Sequence, residues 1–129
     1  MRVRLYQVIL PVHDIEQATE FYSALLGFVG ERVSPGRHYF DCGTTVLACY
    51  DPGADGDGKG EGWSRHLNQY LYFAVDDLET VFTRAQHLPC QAVDDKIAAM
   101  PWGERLFYAK DPFGNPICFV DERTLFTGN

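Results

Sequence analysis

Basic residues are in short supply in this chain. Eleven Lys and Arg stand against 18 Asp and Glu, a formal net charge of -7, and the Arg residues are scattered. Binding to a phosphate backbone or an anionic membrane surface calls for clustered cations, so no nucleic acid and no membrane are expected as partners. Long apolar runs are also missing: none approaches the roughly 20 residues that a membrane helix requires. The opening MRVRLYQVIL runs into strand-like sequence without a cleavage site, so the expected location is cytoplasmic. Nor is there any C-x-x-C pair among Cys42, Cys49, Cys90 and Cys118, three of which sit inside apolar segments. That pattern points to free buried thiols rather than disulfides or a zinc site.

What is present is enough for one folded domain. The chain has 129 residues, 46% of them hydrophobic and 22% charged, which suffices for a real core but not for two independent ones. Residues 5–12 (LYQVILPV) read as a strand with Tyr6, Val8, Leu10 and Val12 on one face and Gln7 and Ile9 on the other. A helix follows, with Asp14 as N-cap and Gln17 at the third helical position. Ile15, Ala18, Phe21, Tyr22 and Leu25 recur at helical spacing, and Gly27 ends it. Residues 28–33, 38–42 and 45–50 read as three further strands, with SPGR at 34–37 as a turn.

Residues 51–62 (DPGADGDGKGEG) hold five glycines in twelve positions, a composition expected of a linker rather than a packed element. Their spaced acids do not make a calcium loop, because an EF-hand register from Asp55 puts Lys59 and His66 at ligand positions. Beyond it the first pattern starts again. Residues 70–75 (YLYFAV) read as a strand with Leu71, Phe73 and Val75 on one face and Tyr70, Tyr72 and Ala74 on the other. Asp76 and Glu79 are expected to cap a helix carrying Leu78, Val81, Phe82, Ala85 and Leu88, which Pro89 stops. Val12, Asp14, Ile15, Glu16 and Ala18 match Val75, Asp77, Leu78, Glu79 and Val81 at a constant offset, an internal repeat.

The last part of the chain, PWGERLFYAKDPFGNPICFV, reads as a hairpin. Two apolar strands, 106–110 and 117–120, flank Asp111, Pro112, Phe113 and Gly114, which suit the four positions of a type I turn. Trp102 precedes the hairpin, where its indole either faces a cleft or covers the end of a core. With a strand near 92–94 the second half becomes a strand-helix-three-strand unit like the first. The expected fold is α+β: tandem βαβββ modules forming a curved mixed sheet around a cleft, with helices on the outer face. The expected organisation is one domain over 1–129, with module 1 at about 1–51, the glycine-rich linker at 52–66 and module 2 at about 67–123. A ferredoxin-like sandwich has a different order of helices and strands.

These residues resemble the vicinal oxygen chelate superfamily, which includes glyoxalase I, extradiol dioxygenases and bleomycin-resistance proteins. VHDIEQATEFYSALLGF is similar to the family's first helix, and PWGERLFYAKDPFGN to the bleomycin-resistance branch. The resemblance implies paired βαβββ modules, a homodimer and, in the enzymes, one divalent metal held by four strands. Carried through the local motifs, the implied ligand positions are Gln7, Ala48, Tyr70 and Cys118. Ala48 offers no donor atom and a neutral Tyr70 is a poor one. No cofactor is therefore expected, and a divalent metal at these positions is the alternative.

The function expected from the sequence is small-molecule binding, with a hydrophobic or aromatic ligand in the cleft between modules. The residues expected to bind it are Gln7, Tyr70, Tyr72, Trp102, Cys118 and His38, the last with Tyr39 on an opposite wall. Two alternatives stand beside it. One is a metal-dependent lyase, isomerase or dioxygenase of the same superfamily, and the other is a noncatalytic dimerisation module.

Overall fold

The computed structural model describes residues 1–57 and 68–128. The fold is α+β, and the chain divides into two compact units, Met1–Arg65 and His66–Asn129. The first contains β1 (Gln7–Pro11), α1 (Ile15–Leu26), β2 (Glu31–Ser34), β3 (Arg37–Asp41) and β4 (Val46–Tyr50). Its sheet order is β1-β4-β3-β2, with β1 parallel to β4 and the other pairs antiparallel.

Helix α1 starts where Asp14, in extended conformation, accepts a hydrogen bond from the Gln17 amide at 3.0 Å. It ends where Gly27, at φ 87°, donates to the Ser23 carbonyl, a left-handed position that favours glycine. The helix buries Ile15, Ala18, Phe21, Tyr22 and Leu25. On the sheet they meet Phe40, whose ring centroid lies 6.2 Å from that of Tyr22.

Two details differ from the sequence reading. Residues 28–30 are not strand: β2 begins at Glu31. Gly30, at φ 68°, carries the connection past β3 so closely that a Cβ there would stand 2.5 Å from the Tyr39 carbonyl. The beginning of the glycine-rich stretch is also fastened rather than free. Asp55 accepts from Ser34 Oγ at 2.9 Å, the Gly36 amide at 2.6 Å and Arg37 at 2.7 Å. Tyr50 donates to Asp57 and lies beneath the Arg37 guanidinium, 4.2 Å from the ring centroid. The rest of that stretch, with Lys59 and His66, lies outside the described residues.

The second unit repeats the plan with β5 (Leu71–Val75), α2 (Leu78–Gln86), β6 (Ala92–Val93), β7 (Ala98–Ala99), β8 (Arg105–Lys110) and β9 (Pro116–Asp121). Its order is β5-β9-β8-β6, with β5 parallel to β9 and the two-residue β7 also paired to β8. The helix side is aromatic. Phe73 stacks on Phe119 at 4.9 Å, Phe119 on Phe107 at 5.5 Å, and Phe82 of α2 meets Phe107 edge-on at 5.1 Å.

The cap of α2 is Asp77 rather than Asp76. Its carboxylate accepts from the Thr80 amide at 3.1 Å and the Thr80 hydroxyl at 2.7 Å. Asp77 stands immediately before the first helical residue, as Asp14 does in the first unit, and the repeat pairs those two residues.

The β8–β9 turn closes with a 3.0 Å bond from the Gly114 amide to the Asp111 carbonyl. The Asp111 carboxylate, fully buried, accepts from the amides of Phe113 and Asn115 and from Asn115 Nδ2. At the other end of β9, buried Asp121 binds Arg105 at 2.8 Å and Arg123 through two bonds of 3.0 and 2.8 Å. Arg105 also reaches Glu79 of α2 at 2.8 Å, tying the strand ends to the helix. Among the described residues no helix is long and apolar enough to cross a membrane.

Candidate functional site

Each sheet has one face against its helix and one face away from it, and the residues with chemical character lie mostly on the second. In the second unit, strand register sets that face in rows. Tyr72 pairs with Cys118, and Cys118 with Tyr108. Val120 pairs with Leu106, and Leu106 with Ala98. Side chains at paired positions point to the same side of a sheet, so tyrosines on β5 and β8 stand on either side of the Cys118 thiol.

The three tyrosines form one cluster. The Tyr72 and Tyr108 hydroxyls lie 3.3 Å apart, and their rings are set at 87° with centroids 6.3 Å apart. Tyr70 meets Tyr108 at 80° and 5.5 Å. Tyr70 and Tyr72 remain 41% and 57% exposed, so their outer faces are available. Tyr108 is half-buried, and its phenol is held well above the ordinary range by the Tyr72 hydroxyl and by burial. It is a hydrogen-bonding group, not a base.

Cys118 forms the floor. It is fully buried and packs with Leu106 and Val120, with Met100 and Tyr108 against them. Burial pushes its thiol up to about 12, and the carboxylates of Glu104 and Asp94 add to the shift. At neutral pH it is therefore a thiol and not the thiolate that attacks electrophiles.

Trp102 occupies the tip of the β7–β8 turn, which closes through a 2.9 Å bond from Gly103 to the Met100 carbonyl. Its indole N–H donates to Glu104 at 2.8 Å and it is half exposed. The tyrosine ring contacts do not include it. The other Glu104 oxygen accepts from the Phe126 amide at 3.1 Å.

In the first unit, Gln7 stands half-buried opposite Val46, one row from the Ile9, Ala48 and Tyr39 row. The Ala48 methyl is buried. His38 is elsewhere. Register places it with Cys49 and Leu10, and alternation along β3 turns it to the helix side while Tyr39 takes the other face. It is 4% exposed, its ring lies 5.0 Å from that of Phe40, Nδ1 accepts from Arg32, and Nε2 lies 2.7 Å from the Val29 carbonyl. Its expected place on a ligand-binding wall is therefore corrected: it fastens the connection from α1 to β2.

The residues do not fit a divalent ion at the four positions marked by the resemblance. Gln7 has an amide oxygen, Ala48 has no donor, Tyr70 has a phenol, and Cys118 has a thiol sealed from solvent. Among the described residues no group of three His, Cys, Asp or Glu side chains is placed to hold a metal ion.

Tyr108 and Asp94 are the site residues that sequence reasoning missed. The turn at 111–114 contains the signal for Tyr108, since counting back from the Lys110–Pro116 pair sets it beside Cys118. Asp94 has no such signal. Its carboxylate accepts from the Tyr108 amide at 2.9 Å, and its own amide donates to the Tyr108 carbonyl at 2.9 Å.

Over residues 4–119 the sequence matches the family described as the glyoxalase/bleomycin resistance protein/dioxygenase superfamily. A glyoxalase/bleomycin resistance protein from Albidiferax ferrireducens T118 superposes with a TM-score of 0.77 at 20% identity, over 91% of this chain and 98% of that one. A glyoxalase/bleomycin resistance protein/dioxygenase family enzyme from Burkholderia phytofirmans PsJN gives 0.77 at 18% identity, over 95% and 100%. The lactoylglutathione lyase of Agrobacterium tumefaciens gives 0.68 at 23% identity, over 95% and 96%. At these identities the likeness is one of fold. Comparison with curated proteins gives no match.

Proposed function

The chain belongs to the glyoxalase/bleomycin resistance protein/dioxygenase superfamily, and from that premise we propose that it is a metal-free small-molecule binding protein, its ligand a hydrophobic or aromatic molecule held against the tyrosine face of the second unit. The supporting observation is the joint character of that face. Where the resemblance implies metal donors, the chain has Ala48 and Tyr70 beside Gln7 and Cys118, and around Cys118 it gathers three aromatic rings. Flat rings offer stacking area at small conformational cost, and the Tyr72 and Tyr108 hydroxyls orient a polar group. Free thiols and the acidic balance suit a cytoplasmic protein, and the homodimer implied by the family belongs to the same reading.

The test is saturable quenching of tryptophan fluorescence over a small-molecule panel, repeated with Tyr72→Leu and Tyr108→Leu. Affinity should fall about fivefold to thirtyfold in each, the loss of roughly 1–2 kcal/mol of aromatic contact. A panel that leaves both fluorescence and melting temperature unmoved would defeat the proposal.

A further inference from the structure

We propose that the tyrosine face selects a cationic aromatic ligand, such as an N-alkylated heteroaromatic, with its positive charge over the exposed rings of Tyr70 and Tyr72 and the carboxylates of Asp94 and Glu104 behind them. This rests on the small-molecule reading above and adds the sign of the ligand's charge. Three observations carry it.

The first is ring geometry. Tyr70 and Tyr72 are set at 80° and 87° to Tyr108, with centroids 5.5 and 6.3 Å from it. Both rings stand edge-on to Tyr108 with their own faces partly exposed, and the negative faces of such rings attract alkylated ammonium groups. The second is the charge around the floor. The Asp94 carboxylate accepts from the Tyr108 amide, which sets it at the sheet edge beside Tyr108. Glu104 stands at the β7–β8 turn, and both carboxylates act on buried Cys118 in the direction that opposes negative charge.

The third is the placement of the two cations of β8. Arg105 alternates with Leu106 to the helix side, where it binds Glu79 and Asp121. An anion on the tyrosine face would therefore meet two carboxylates without that guanidinium. Lys110 is on the same face but in the neighbouring row, exposed and paired across the strands with Pro116 and Ala92. Phenols offer a cation a polarised surface without the desolvation cost of a buried carboxylate pair, so the face suits charge borne on a bulky, weakly hydrated ring.

The experiment uses three molecules of one shape: 1-methylquinolinium, its neutral isostere 1-methylnaphthalene, and naphthalene-1-sulfonate. Each is titrated against the full chain by NMR. The cation should bind about tenfold more tightly than the neutral isostere, and the sulfonate more weakly than either. In Tyr72→Phe, which keeps the ring, that preference should persist within about twofold. In Tyr72→Leu it should vanish, the affinity for 1-methylquinolinium falling about tenfold further than that for 1-methylnaphthalene. Equal binding of cation and neutral isostere, or tighter binding of the sulfonate, overturns the inference and leaves the small-molecule reading standing. Absence of saturable binding by all three overturns it as well, and the wider reading falls with it only if the larger panel is also silent.

Discussion

At the scale of single residues, neighbours decide what a side chain can do. His38 and Tyr39 are adjacent in sequence, yet the pleat sends one to the helix and the other to the opposite face. His38 has both ring nitrogens engaged in the first unit's own framework. His38→Ala should therefore cost about 2–4 kcal/mol by chemical denaturation, through lost contacts and the unmet Val29 carbonyl, with ligand affinity unchanged within about twofold. Asp121 gives a pH signature. Hydrogen bonds from Arg123, then from Arg105, hold its carboxyl well below the usual carboxylate range. Its contribution to stability is thus complete above the unfolded value of about 3.9 and is lost as pH falls below it. Urea midpoints from about pH 7 to about pH 3 should show a steep acid decline in the natural protein and a shallower one in Asp121→Asn.

At the scale of elements, the two helices start by the same device. Asp77→Ala removes the bonds to Thr80 and should lower the melting temperature by about 3–5 °C, whereas Asp76→Ala should leave it within about 1 °C. Equal effects would assign the cap wrongly. This element also shows where sequence is legible. The helices and the β8–β9 hairpin follow from local signals: buried residues at helical spacing, a capping carboxylate, and Asp111 and Gly114 around a tight turn. The choice between Asp76 and Asp77 is ambiguous by spacing alone, and only the internal repeat, which sets Asp77 beside Asp14, points to the right one. Strand β7 carries no such signal, because Ala98 and Ala99 lack the branched or aromatic side chains that favour strands and are held by pairing with β8. The docking of Asp55 onto the Ser34–Arg37 turn is equally silent. Its cause is tertiary: the Gly36 Cα lies so near the Asp51 carbonyl that a Cβ would stand 2.2 Å from it. Gly36→Ala should displace residues 51–57, seen as loss of slow amide exchange at Asp51, whose amide donates to the Gly36 carbonyl at 2.7 Å.

At the scale of the whole molecule, the repeat is the fact from which most else follows. One strand order serves both units, β1-β4-β3-β2 and β5-β9-β8-β6. That equivalence was visible in five matched residues, and with it the α+β class and the family. The candidate site was legible only in part. Tyr70 and Cys118 were named by transfer along local motifs and Tyr72 by strand alternation; Tyr108 needed the hairpin register, and Asp94 needed the tertiary structure. The same transfer marks the four positions that the resemblance implies for a metal, which carry Gln7, Ala48, Tyr70 and Cys118.

The metal content of protein purified without an affinity tag tests this most directly, measured after incubation with nickel, zinc, manganese and ferrous iron followed by gel filtration. Metal-free ligand binding predicts that none of the four is retained above trace level. About one ion per chain, removed by chelator and lost in Gln7→Ala, would contradict it and make the protein a metal enzyme of its superfamily.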